Sequence, residues 1–523
     1  MEMFSSEPSR KFDASSQARI DFVSKLKNSS HVHVLGACGT GTGAIVCLLK
    51  QLGFYVTGSD KAFYPPMGDF IKEYADKLFD KFSEENINPK PDLVVIGNAL
   101  SRGNVELEAV LKQGLPFCSM PELLSALLIL DRIENKNSVV VSGTHGKTTT
   151  TALISHALSV LEFAPGYFFG GVPTGDILKL PIKPIDKATS LERRVSVIEG
   201  DEYDSAFFAK YSKFNCYRPD IAVITNVEFD HGDIFEDLAA IENEFLNLLN
   251  LLPENGHVVV CRDAKGAKKV VEHFVETSKK KVNIHWYGTS DGCDVKIVKS
   301  QIEFGNGDVS SAMQRITLDV RGEEISIATA LTGAHNVLNI SAAAAVLDIL
   351  QVDHSQIPGA FLEFSNVKRR QQIHVGNEKL ILIEDFAHHP TEVFFTLSGI
   401  RAAYPNRRLT AVFEPRSNTS RKSFFKDEYV KALSIADNVF IKEVDGSKPI
   451  YSNLATSDEV LNVASIKAEL EALNTKAASA EKVSDLFEQI KSGFKIGDVI
   501  VVMSNGDFGG LIKDLVSWGL LVK

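Results

Sequence analysis

A short apolar run leads into a glycine-rich loop and then into a helical pattern between residues 139 and 150, and this segment constrains the fold most. A strand, a tight loop and a helix in that order allow backbone N–H groups to bind phosphate. Gly143 and Gly146 let the backbone approach a phosphate closely, and Lys147 can reach the β- and γ-phosphates of a nucleotide. The hydroxyl of Thr148 can ligate Mg²⁺. The segment therefore predicts an α/β domain that binds a nucleoside triphosphate.

The loop departs from the longest form of the phosphate-binding pattern. That form has a glycine where this chain has Val141, so the match is to the shorter core Gly-x-x-Gly-Lys-Thr. Motors, kinases, switches and ligases all bind nucleotides through such loops, so the loop alone does not identify the reaction that the nucleotide serves.

Strand patterns alternate with helical patterns along most of the chain, which predicts an α/β protein with parallel sheets. Its 523 residues are enough for about three or four domains. We place three domains at residues 1–136, 137–366 and 367–523, with residues 1–20 as a loose tail. Predicted strands cover residues 31–35, 54–57, 93–96, 138–142, 195–198, 221–225, 257–260, 380–383, 409–413, 438–441 and 499–503.

Four further segments have their own patterns. Residues 41–52 and the alanine-rich residues 338–350 are predicted helices. Residues 291–330 are predicted to form short strands joined by turns. Residues 456–490 are polar and helical in pattern, which predicts a surface segment.

The composition argues against two kinds of partner. A formal net charge of −11 disfavours nucleic acids and anionic membranes, because both bind basic surfaces.

The first 20 residues lack the apolar core of a signal peptide, and the longest apolar run, residues 123–130, is far shorter than the ~20 residues of a membrane helix. None of the six cysteines is spaced as C-x-x-C, which is typical of free thiols in a reducing compartment. We therefore expect a cytoplasmic protein without membrane insertion.

Further motifs follow the phosphate loop in a fixed order, and most of them lie where a predicted strand or helix begins or ends. They are residues 199–204, 225–231, 331–339, 368–370 and 384–392. In this combination, over about residues 31–510, the chain resembles the Mur ligases. The resemblance implies Rossmann-like N- and C-terminal domains with parallel sheets around a central P-loop ATPase domain. It also implies that the N-terminal domain binds a UDP-sugar, the central domain binds ATP and the C-terminal domain binds an amine or peptide substrate.

The resemblance implies ATP as the nucleotide and Mg²⁺ as its metal. In the family the matching acid and histidine contact the metal, which points to Glu199 and His231 beside Thr148. Carboxylate oxygens are natural Mg²⁺ ligands. Residues 368–370 form the arginine motif, and in it Arg369 is expected to be a plain surface charge. The expected nucleotide contacts are Gly143, Thr144, His145, Gly146, Lys147, Thr148, Thr149, His335, Asn336, Asn339 and Arg370.

A second glycine-rich loop, residues 36–43, follows the first predicted strand. By itself it also fits a dinucleotide-binding fingerprint. Asp60, 24 residues after Gly36, would then be the acid that binds the ribose. That dehydrogenase interpretation leaves the loop at 143–149 unexplained. The resemblance instead implies that the N-terminal domain binds the uridine nucleotide of UDP-N-acetylmuramate, through Gly36, Gly39, Thr40, Gly41, Asp60 and Asn98.

Two acceptors remain within the branch of the family that acts on UDP-N-acetylmuramate. One kind of enzyme adds free L-alanine, and the other adds the tripeptide L-alanyl-γ-D-glutamyl-meso-diaminopimelate during cell-wall recycling. Residues 201–208, 229–235 and 413–421 resemble the tripeptide enzyme, so we expect the tripeptide and keep L-alanine as the alternative. The carboxylates of the tripeptide suit a forked guanidinium. The expected contacts are Arg416, Ser417 and Asn418.

The resemblance implies an acyl-phosphate route, in which ATP phosphorylates the lactyl carboxylate and the amine then attacks the mixed anhydride. Lys147 and Mg²⁺ are expected to offset the repulsion between this carboxylate and the polyanionic nucleotide. Asp385 and His388 are the candidates that orient the amine or accept its proton. A catalytically inactive, nucleotide-binding regulatory protein is the alternative of a different class, and the presence of both Lys147 and Glu199 argues against it. The sequence leaves the oligomeric state open.

Overall fold

The computed structural model describes residues 8–65, 67–129, 137–186, 188–232, 234–304, 312–444 and 460–522. The chain divides into two compact units, each assembled from three stretches of sequence. Unit 1 comprises Met1–Val227, Glu242–Val295 and Ala342–Ala360. Unit 2 comprises Glu228–Ile241, Lys296–Ser341 and Phe361–Lys523. The described helices include none that is long and apolar enough to span a bilayer.

Unit 1 begins with a helix and a five-stranded α/β layer. The strands are β1 (His31–Leu35), β2 (Tyr55–Ser59), β3 (Lys77–Phe79), β4 (Leu93–Ile96) and β5 (Phe117–Ser119). The helices are α1 (Ala14–Val23), α2 (Thr40–Gln51), α3 (Met67–Ile71), α4 (Val105–Lys112) and α5 (Met120–Leu127). The strands pair in parallel in the order β3-β2-β1-β4-β5. Because the order reverses between β1 and β4, a crevice for ligands is expected beyond the carboxyl ends of these strands.

A second sheet in unit 1 is built around one buried strand. Its region contains β6 (Asn137–Ser142), β7 (Gly166–Phe168), β8 (Ile182–Lys183), β9 (Val195–Glu199), β10 (Asp204–Ala206), β11 (Ala209–Ser212), β12 (Ile221–Ile224), β13 (His257–Cys261) and β14 (Asn283–Gly288). The helices are α6 (Lys147–Val160), α7 (Leu238–Leu251) and α8 (Lys265–Thr277). The order is β14-β13-β12-β6-β9-β7-β8, and only β7 and β8 pair antiparallel. Residues Val139, Val140 and Val141 of β6 are fully buried, as expected for a parallel strand covered on both faces. Strands β10 and β11 form a separate antiparallel hairpin.

Unit 2 contains antiparallel strands and a mostly parallel six-stranded sheet. The strands are β15 (Val295–Phe304), β16 (Ala312–Val320), β17 (Glu323–Thr329), β18 (Gln372–Gly376), β19 (Leu380–Asp385), β20 (Leu409–Phe413), β21 (Asn438–Lys442), β22 (Lys476–Ala480) and β23 (Asp498–Met503). The helices are α9 (Ala334–Ile349), α10 (Pro390–Ala403), α11 (Lys426–Leu433), α12 (Val463–Ala472), α13 (Val483–Gly493) and α14 (Leu511–Gly519). The large sheet has the order β18-β19-β23-β20-β21-β22, and only β18 runs antiparallel.

Helices cover both faces of the six-stranded sheet. On one face α10, α11 and α12 contribute buried side chains such as Leu397 and Leu433. On the other face α13 and α14 contribute Leu486 and Leu515. The parallel pairing directs the carboxyl ends of β19, β20, β21 and β23 to one edge of the sheet, where ligands bind in such folds.

The observed elements correct three sequence predictions. Residues 1–20 are not a loose tail where the structure describes them, because α1 packs with Arg19 and Ile20 buried. Residues 291–330 contain three long strands rather than short ones. Within residues 456–490, α12 and α13 confirm the helical pattern, but β22 adds an edge strand between them and residues 456–459 lie outside the described part of the chain.

Candidate active site

The first part of the site is the turn between β6 and α6. Helix α6 begins at Lys147 directly after the loop 143–146, and Gly146 caps it in a left-handed conformation at φ 81°. The side chain and carbonyl of Asn226 accept hydrogen bonds from backbone N–H groups of the loop at 2.8 and 3.2 Å. The helix N-terminus and its loop thus provide the setting of a phosphate-binding site. The other predicted phosphate contacts lie in the same loop or the first helical turn: Gly143, Thr144, His145, Thr148 and Thr149.

The side chain of Lys147 is buried among acids. Its Nζ donates to two loop carbonyls at 2.6 and 3.3 Å and to the carboxylate of Glu202 at 3.0 Å. It also lies 3.9 Å from Asp201. Burial by itself lowers the pKa of Lys147, but Glu202, Asp201 and Glu199 outweigh this effect and hold the pKa above its usual value. Lys147 therefore carries its positive charge beside the phosphate loop at neutral pH.

A carboxylate and a hydroxyl meet at the start of α6. Glu199, the last residue of β9, accepts hydrogen bonds from Oγ1 of Thr148 at 2.8 Å and from the backbone N–H of Gly170 at 2.6 Å. Burial, and then the nearby carboxylate of Asp201, raise the pKa of Glu199. Hard cations prefer oxygen ligands, and a cation would offset the crowding of negative charge that raises this pKa. The donor set therefore fits Mg²⁺.

The predicted uridine-nucleotide residues follow neighbouring strands of the first sheet. Gly36 follows β1 with φ 80°, Asp60 follows β2, and Asn98 follows β4. The carboxylate of Asp60 accepts a hydrogen bond from the backbone N–H of Cys38 at 2.8 Å, which joins it to the glycine-rich loop. These residues lie beyond the carboxyl ends of strands in the sheet whose order reverses, where ligands bind in such folds. The remaining predicted contacts, at the start of α2, are Gly39, Thr40 and Gly41.

The C-terminal residue of β19 in unit 2 is the buried acid Asp385. Its carboxylate accepts hydrogen bonds from the backbone N–H groups of Gln371 and Ala387, both at 2.8 Å. Burial raises the pKa of Asp385 to about 6, although Arg370 lowers it. The carboxyl group is therefore poised to change its protonation state below neutral pH, as acid–base groups in active sites do.

The two histidines that follow Asp385 lead into α10. His389 is the N-cap of this helix, and Glu392 completes the capping box. The carboxylate of Glu392 accepts from the backbone N–H of His388 at 3.1 Å and lies 3.2 Å from its Nδ1. Burial by itself lowers the pKa of His388, but Glu392 outweighs it and the pKa is raised. Thr391, in the same first turn, donates to Glu228 at 2.7 Å.

His231 also belongs to unit 2 and has an unusual backbone conformation. Its φ is 53°, in the left-handed region, and its N–H donates to the carboxylate of Asp230 at 2.7 Å. The N–H of Gly232 lies 3.4 Å from Oγ1 of Thr419. Asp233, the next residue of the motif, lies outside the described residues. The role of His231 as a metal ligand stays a prediction.

The arginine motif places both guanidinium groups on one aromatic ring. The expectation that Arg369 is a plain surface charge is wrong, because its Nε donates to Glu384 at 3.0 Å and its Nη2 to the carbonyl of Ser504 at 2.7 Å. Arg369 and Arg370 each lie 4.9 Å from the ring centre of Phe386. Arg369 therefore anchors the loop after β23.

The predicted nucleotide contacts His335, Asn336 and Asn339 lie near the start of α9. The side chain of Asn336 donates to the carbonyl of Thr332 at 2.9 Å and accepts from Asn339 at 3.2 Å. Burial lowers the pKa of His335 to about 4, so its imidazole is neutral at pH 7. Its ring lies 5.9 Å from that of Phe395. A neutral ring beside a second aromatic ring suits contact with a nucleobase.

The loop after β20 carries the three predicted peptide contacts and lines a cavity of about 370 Å³. In this cavity Arg416 donates to Asp507 at 2.8 Å. Ser417 accepts a hydrogen bond from the N–H of Ser420 at 3.0 Å, which shapes the turn that contains Asn418. The cavity is lined by basic and acidic side chains in equal number: Arg416, Arg421, Lys442, Glu414, Glu443 and Asp507.

Comparison with known proteins matches most of the chain to one family. Three domain families match in order: the Mur ligase family catalytic domain at residues 31–132, the Mur ligase middle domain at 141–347 and the Mur ligase glutamate ligase domain at 369–506. The UDP-N-acetylmuramate–L-alanyl-γ-D-glutamyl-meso-2,6-diaminoheptandioate ligase of Escherichia coli (strain K12) is 33% identical over 496 residues, which cover 94% of this chain and 98% of the relative. The chain belongs to the Mur ligase family.

Further relatives of this Mur ligase include both kinds of enzyme considered above. The enzyme of the same name from Haemophilus influenzae is 33% identical over 93% of this chain and 98% of its own. A UDP-N-acetylmuramate–L-alanine ligase from Endomicrobium trichonymphae is 30% identical over 92% of this chain and 97% of its own. Like its family, this Mur ligase is an ATP-dependent enzyme that forms amide bonds and releases ADP.

Solved structures give the same result for the fold. A murein peptide ligase from Psychrobacter arcticus 273-4 matches with a TM-score of 0.67 at 29% identity, covering 95% of this Mur ligase and 99% of that chain. A UDP-N-acetylmuramate-alanine ligase from Thermotoga maritima matches with a TM-score of 0.74 at 22% identity, covering 94% and 100%. The predicted α/β, three-domain fold class is therefore confirmed.

Three polar partners in this Mur ligase were not among the predicted site residues. Glu202 bonds to Lys147, Glu392 holds His388, and Asp507 pairs with Arg416. Glu392 has a sequence signal, because an acid three residues after the residue that precedes a helix is typical of a capping box. Glu202 has a weaker signal, because it lies in residues 199–204, which we name the acidic segment. Asp507 has none, because its contact depends on the fold of the sheet edge.

Proposed function

We propose that this chain joins the amine of L-alanyl-γ-D-glutamyl-meso-diaminopimelate to the lactyl carboxylate of UDP-N-acetylmuramate, with conversion of ATP to ADP and phosphate. The sequence identity of 33%, over more than nine-tenths of the chain, to two ligases named for that peptide supports this acceptor. The matched regions lie within the proposed domains 1–136, 137–366 and 367–523, which we assign to the UDP-sugar, ATP and the peptide.

The observation that carries the choice of acceptor is the mixed-charge cavity beyond β20, β21 and β23. The tripeptide ends in a diamino acid that offers ammonium and carboxylate groups together, and its glutamyl residue adds another carboxylate. A cavity of about 370 Å³ with three basic and three acidic residues matches that charge pattern and exceeds the needs of free alanine. Arg416 would bind a carboxylate, and its present partner Asp507 would bind the ammonium group.

The phosphate-transfer half of the reaction is assigned to unit 1. Lys147 would bind the β- and γ-phosphates and offset their charge as the lactyl carboxylate attacks. Mg²⁺, when bound, would neutralise part of the remaining negative charge of the ATP phosphates. Thr148 and Glu199 are its proposed ligands, and the family resemblance adds His231. The other proposed nucleotide contacts are Gly143, Thr144, His145, Gly146, Thr149, His335, Asn336, Asn339 and Arg370.

The amide-forming half is assigned to the acids and histidine beyond β19. The α-amine of a peptide has a reference pKa of about 7.7–8.0, so a minor but useful fraction is neutral at pH 7. Asp385 would orient this amine or accept its proton, since its raised pKa brings it within reach of such a transfer. His388, held by Glu392, is the proposed alternative acceptor.

The deciding experiment measures phosphate release with ATP, Mg²⁺ and UDP-N-acetylmuramate, and compares the tripeptide with L-alanine as acceptor. Turnover with the tripeptide but not with L-alanine, together with a product that has the mass of the UDP-sugar tripeptide, would support the proposal. A strong preference for L-alanine would make the chain an enzyme of de novo synthesis. Failure with both acceptors, although ATP binds, would favour a regulatory role.

The cavity assignment predicts a selective effect of Arg416→Ala. Removing a charged hydrogen-bond donor is expected to raise the KM for the tripeptide about tenfold or more while kcat changes little. Arg315→Ala is the matched control, because Arg315 is exposed and pairs only with Glu303 among the described residues. Steady-state kinetics at saturating ATP and UDP-sugar measure both. An unchanged KM in Arg416→Ala would remove this residue from the peptide site.

The raised pKa of Asp385 predicts a distinctive pH profile. As the pH falls through about 6, the carboxylate becomes a neutral acid and loses its ability to accept a proton. The free amine is lost over the same range because its pKa lies near 8. Log(kcat/KM) for the tripeptide should therefore fall with a slope approaching two below about pH 6, and with a slope near one in Asp385→Asn. Equal slopes in both proteins would show that Asp385 does not titrate in the reaction.

A further inference from the structure

The segment Ser9–Val23, which we name the N-terminal strap, lies before the first matched family region at residue 31. It is nevertheless hydrogen-bonded to other parts of unit 1. The backbone N–H of Ser9 donates to the carbonyl of Phe208 at 2.9 Å, and the N–H of Lys210 donates to the carbonyl of Ser9 at 2.7 Å. Asp13 then caps α1 by accepting from the backbone N–H of Ser16 at 3.0 Å. The strap is therefore bonded to the β10–β11 hairpin before its helix begins.

A buried polar cluster joins the helix of the strap to α5 and to the hairpin. Arg19 is 2% exposed, and its Nε and Nη2 lie 2.9 and 2.8 Å from the carboxylate of the fully buried Glu122 on α5. The hydroxyl of Tyr211 on β11 donates to Ser16 at 2.8 Å and lies 3.1 Å from the same carboxylate. The guanidinium of Arg19 also lies 4.8 Å from the ring centre of Phe208. Buried groups bonded in this way hold their elements in one relative position.

The same hairpin holds the acid that bonds to the phosphate-loop lysine. The hydroxyl of Ser212, the residue after Tyr211, donates to the carbonyl of Glu202. Lys213 pairs with Asp201 at 2.7 Å, and its backbone N–H donates to the Asp201 carbonyl at 3.1 Å. The acidic segment is thus fixed from the hairpin side. Its carboxylate at Glu202 then bonds to Lys147 at 3.0 Å.

Lys147 has three N–H donors, and its Nζ makes three hydrogen bonds within unit 1. They join it to the carbonyls of Gly143 at 2.6 Å and Thr144 at 3.3 Å and to Glu202. The weak bond to Thr144 is the one that a phosphate oxygen can replace at least cost, while the other two keep the ammonium group beside the loop. A side chain that is already oriented loses less conformational entropy when a ligand binds.

We infer that the N-terminal strap orients Lys147 for ATP through the hairpin and Glu202. Arg19 and Tyr211 are then positioning residues for nucleotide binding, although neither belongs to the phosphate loop. The inference rests on the use of ATP in the proposed function. It assigns a role in the enzyme to a part of the chain that lies outside the three matched domains.

The test is Tyr211→Phe in the 523-residue chain, with the Kd for Mg²⁺–ATP measured by calorimetry without the other substrates. We expect a Kd at least ~3-fold higher, the size usual for mutations that act on a site indirectly. Ser16→Ala removes one acceptor of the same hydroxyl and should act in the same direction. Tyr217→Phe is the matched control, because the buried Tyr217 hydroxyl has no hydrogen-bond partner in the described part of the chain.

A second arm separates positioning from plain stabilisation. In a Glu202→Gln background the charged link to Lys147 is weakened, so Tyr211→Phe should raise the Kd much less than it does in the wild type. If Tyr211→Phe lowers Tm but leaves the Kd for Mg²⁺–ATP unchanged, the strap is only a structural support and the inference is overturned. Equal effects of Tyr211→Phe in both backgrounds would also overturn it. If the wild type itself fails to bind Mg²⁺–ATP, the proposed function falls together with the inference.

Discussion

Replacing Lys147 by methionine is expected to lower turnover strongly and to destabilise the fold at the same time. The ammonium group lies 3.0 Å from Glu202 and 3.9 Å from Asp201, and all three side chains are buried or nearly so. Loss of one partner from a buried ion pair costs about 3–5 kcal/mol of folding free energy. Loss of a preorganised positive charge at the reacting phosphate lowers kcat by about 10²–10³-fold.

A second substitution separates these two effects. In Lys147→Met combined with Glu202→Gln, the buried carboxylate charge is removed with its partner, so much of the stability should return while turnover stays low. Lys269→Met is the control, because that exposed lysine pairs with Glu242 on the surface and should change stability by less than about 1 kcal/mol. Thermal unfolding and phosphate release measure the two properties. Recovery of turnover in the double variant would show that Lys147 does not act on the phosphates.

The parts of the fold that the sequence predicts well are those decided by local pattern. Strands β4 and β20 coincide with the predicted residues 93–96 and 409–413, because each is a short apolar run that is fully buried. Strand β22 reads Lys-Ala-Ala-Ser-Ala, a composition of low strand propensity, and it exists because it pairs in parallel with β21 at the sheet edge. Tertiary pairing overrides local preference there.

Helix α1 shows the same limit for the N-terminus. Its buried residues include Ser16 and Arg19, which an apolar pattern does not mark as a packing face. Arg19 is buried because it meets Glu122, which is 103 residues away in the sequence. A polar residue that is buried only through a distant partner is indistinguishable from a surface residue when the sequence is read alone.

The candidate site divides along the same line. The phosphate loop and the motif at residues 384–392 lie at the carboxyl ends of strands, so their position at a sheet edge is predictable from strand order. The contacts that set their charge are not predictable. The prediction places Arg369 on the surface, but Arg369 bonds to Glu384 of the next motif and to the carbonyl of Ser504, 135 residues away. Such contacts require the folded sheet.

A large effect of a single methyl group is expected at Gly143. This residue has φ +135°, and a Cβ there would lie 2.0 Å from Oγ1 of Thr225. That hydroxyl donates to the carbonyl of His145 at 2.6 Å, so an alanine would both strain the backbone and displace a side chain that shapes the loop. Such strain costs about 1–3 kcal/mol by itself, before the steric overlap is counted. We expect Gly143→Ala to lower Tm and to weaken ATP binding by at least about tenfold.

The control and the partner variant follow from the same geometry. Gly359 has open space around its Cβ position, so Gly359→Ala should leave Tm and ATP binding close to wild type. Thr225→Ala removes the atom that the new methyl group would meet first. In the double variant Gly143→Ala/Thr225→Ala, the loss of stability should be smaller than the sum of the single losses, while the strain from φ +135° remains. A Gly143→Ala protein with wild-type Tm and ATP affinity would mean that the loop does not need this conformation, and the phosphate-binding role of the β6–α6 turn would then lack its structural basis.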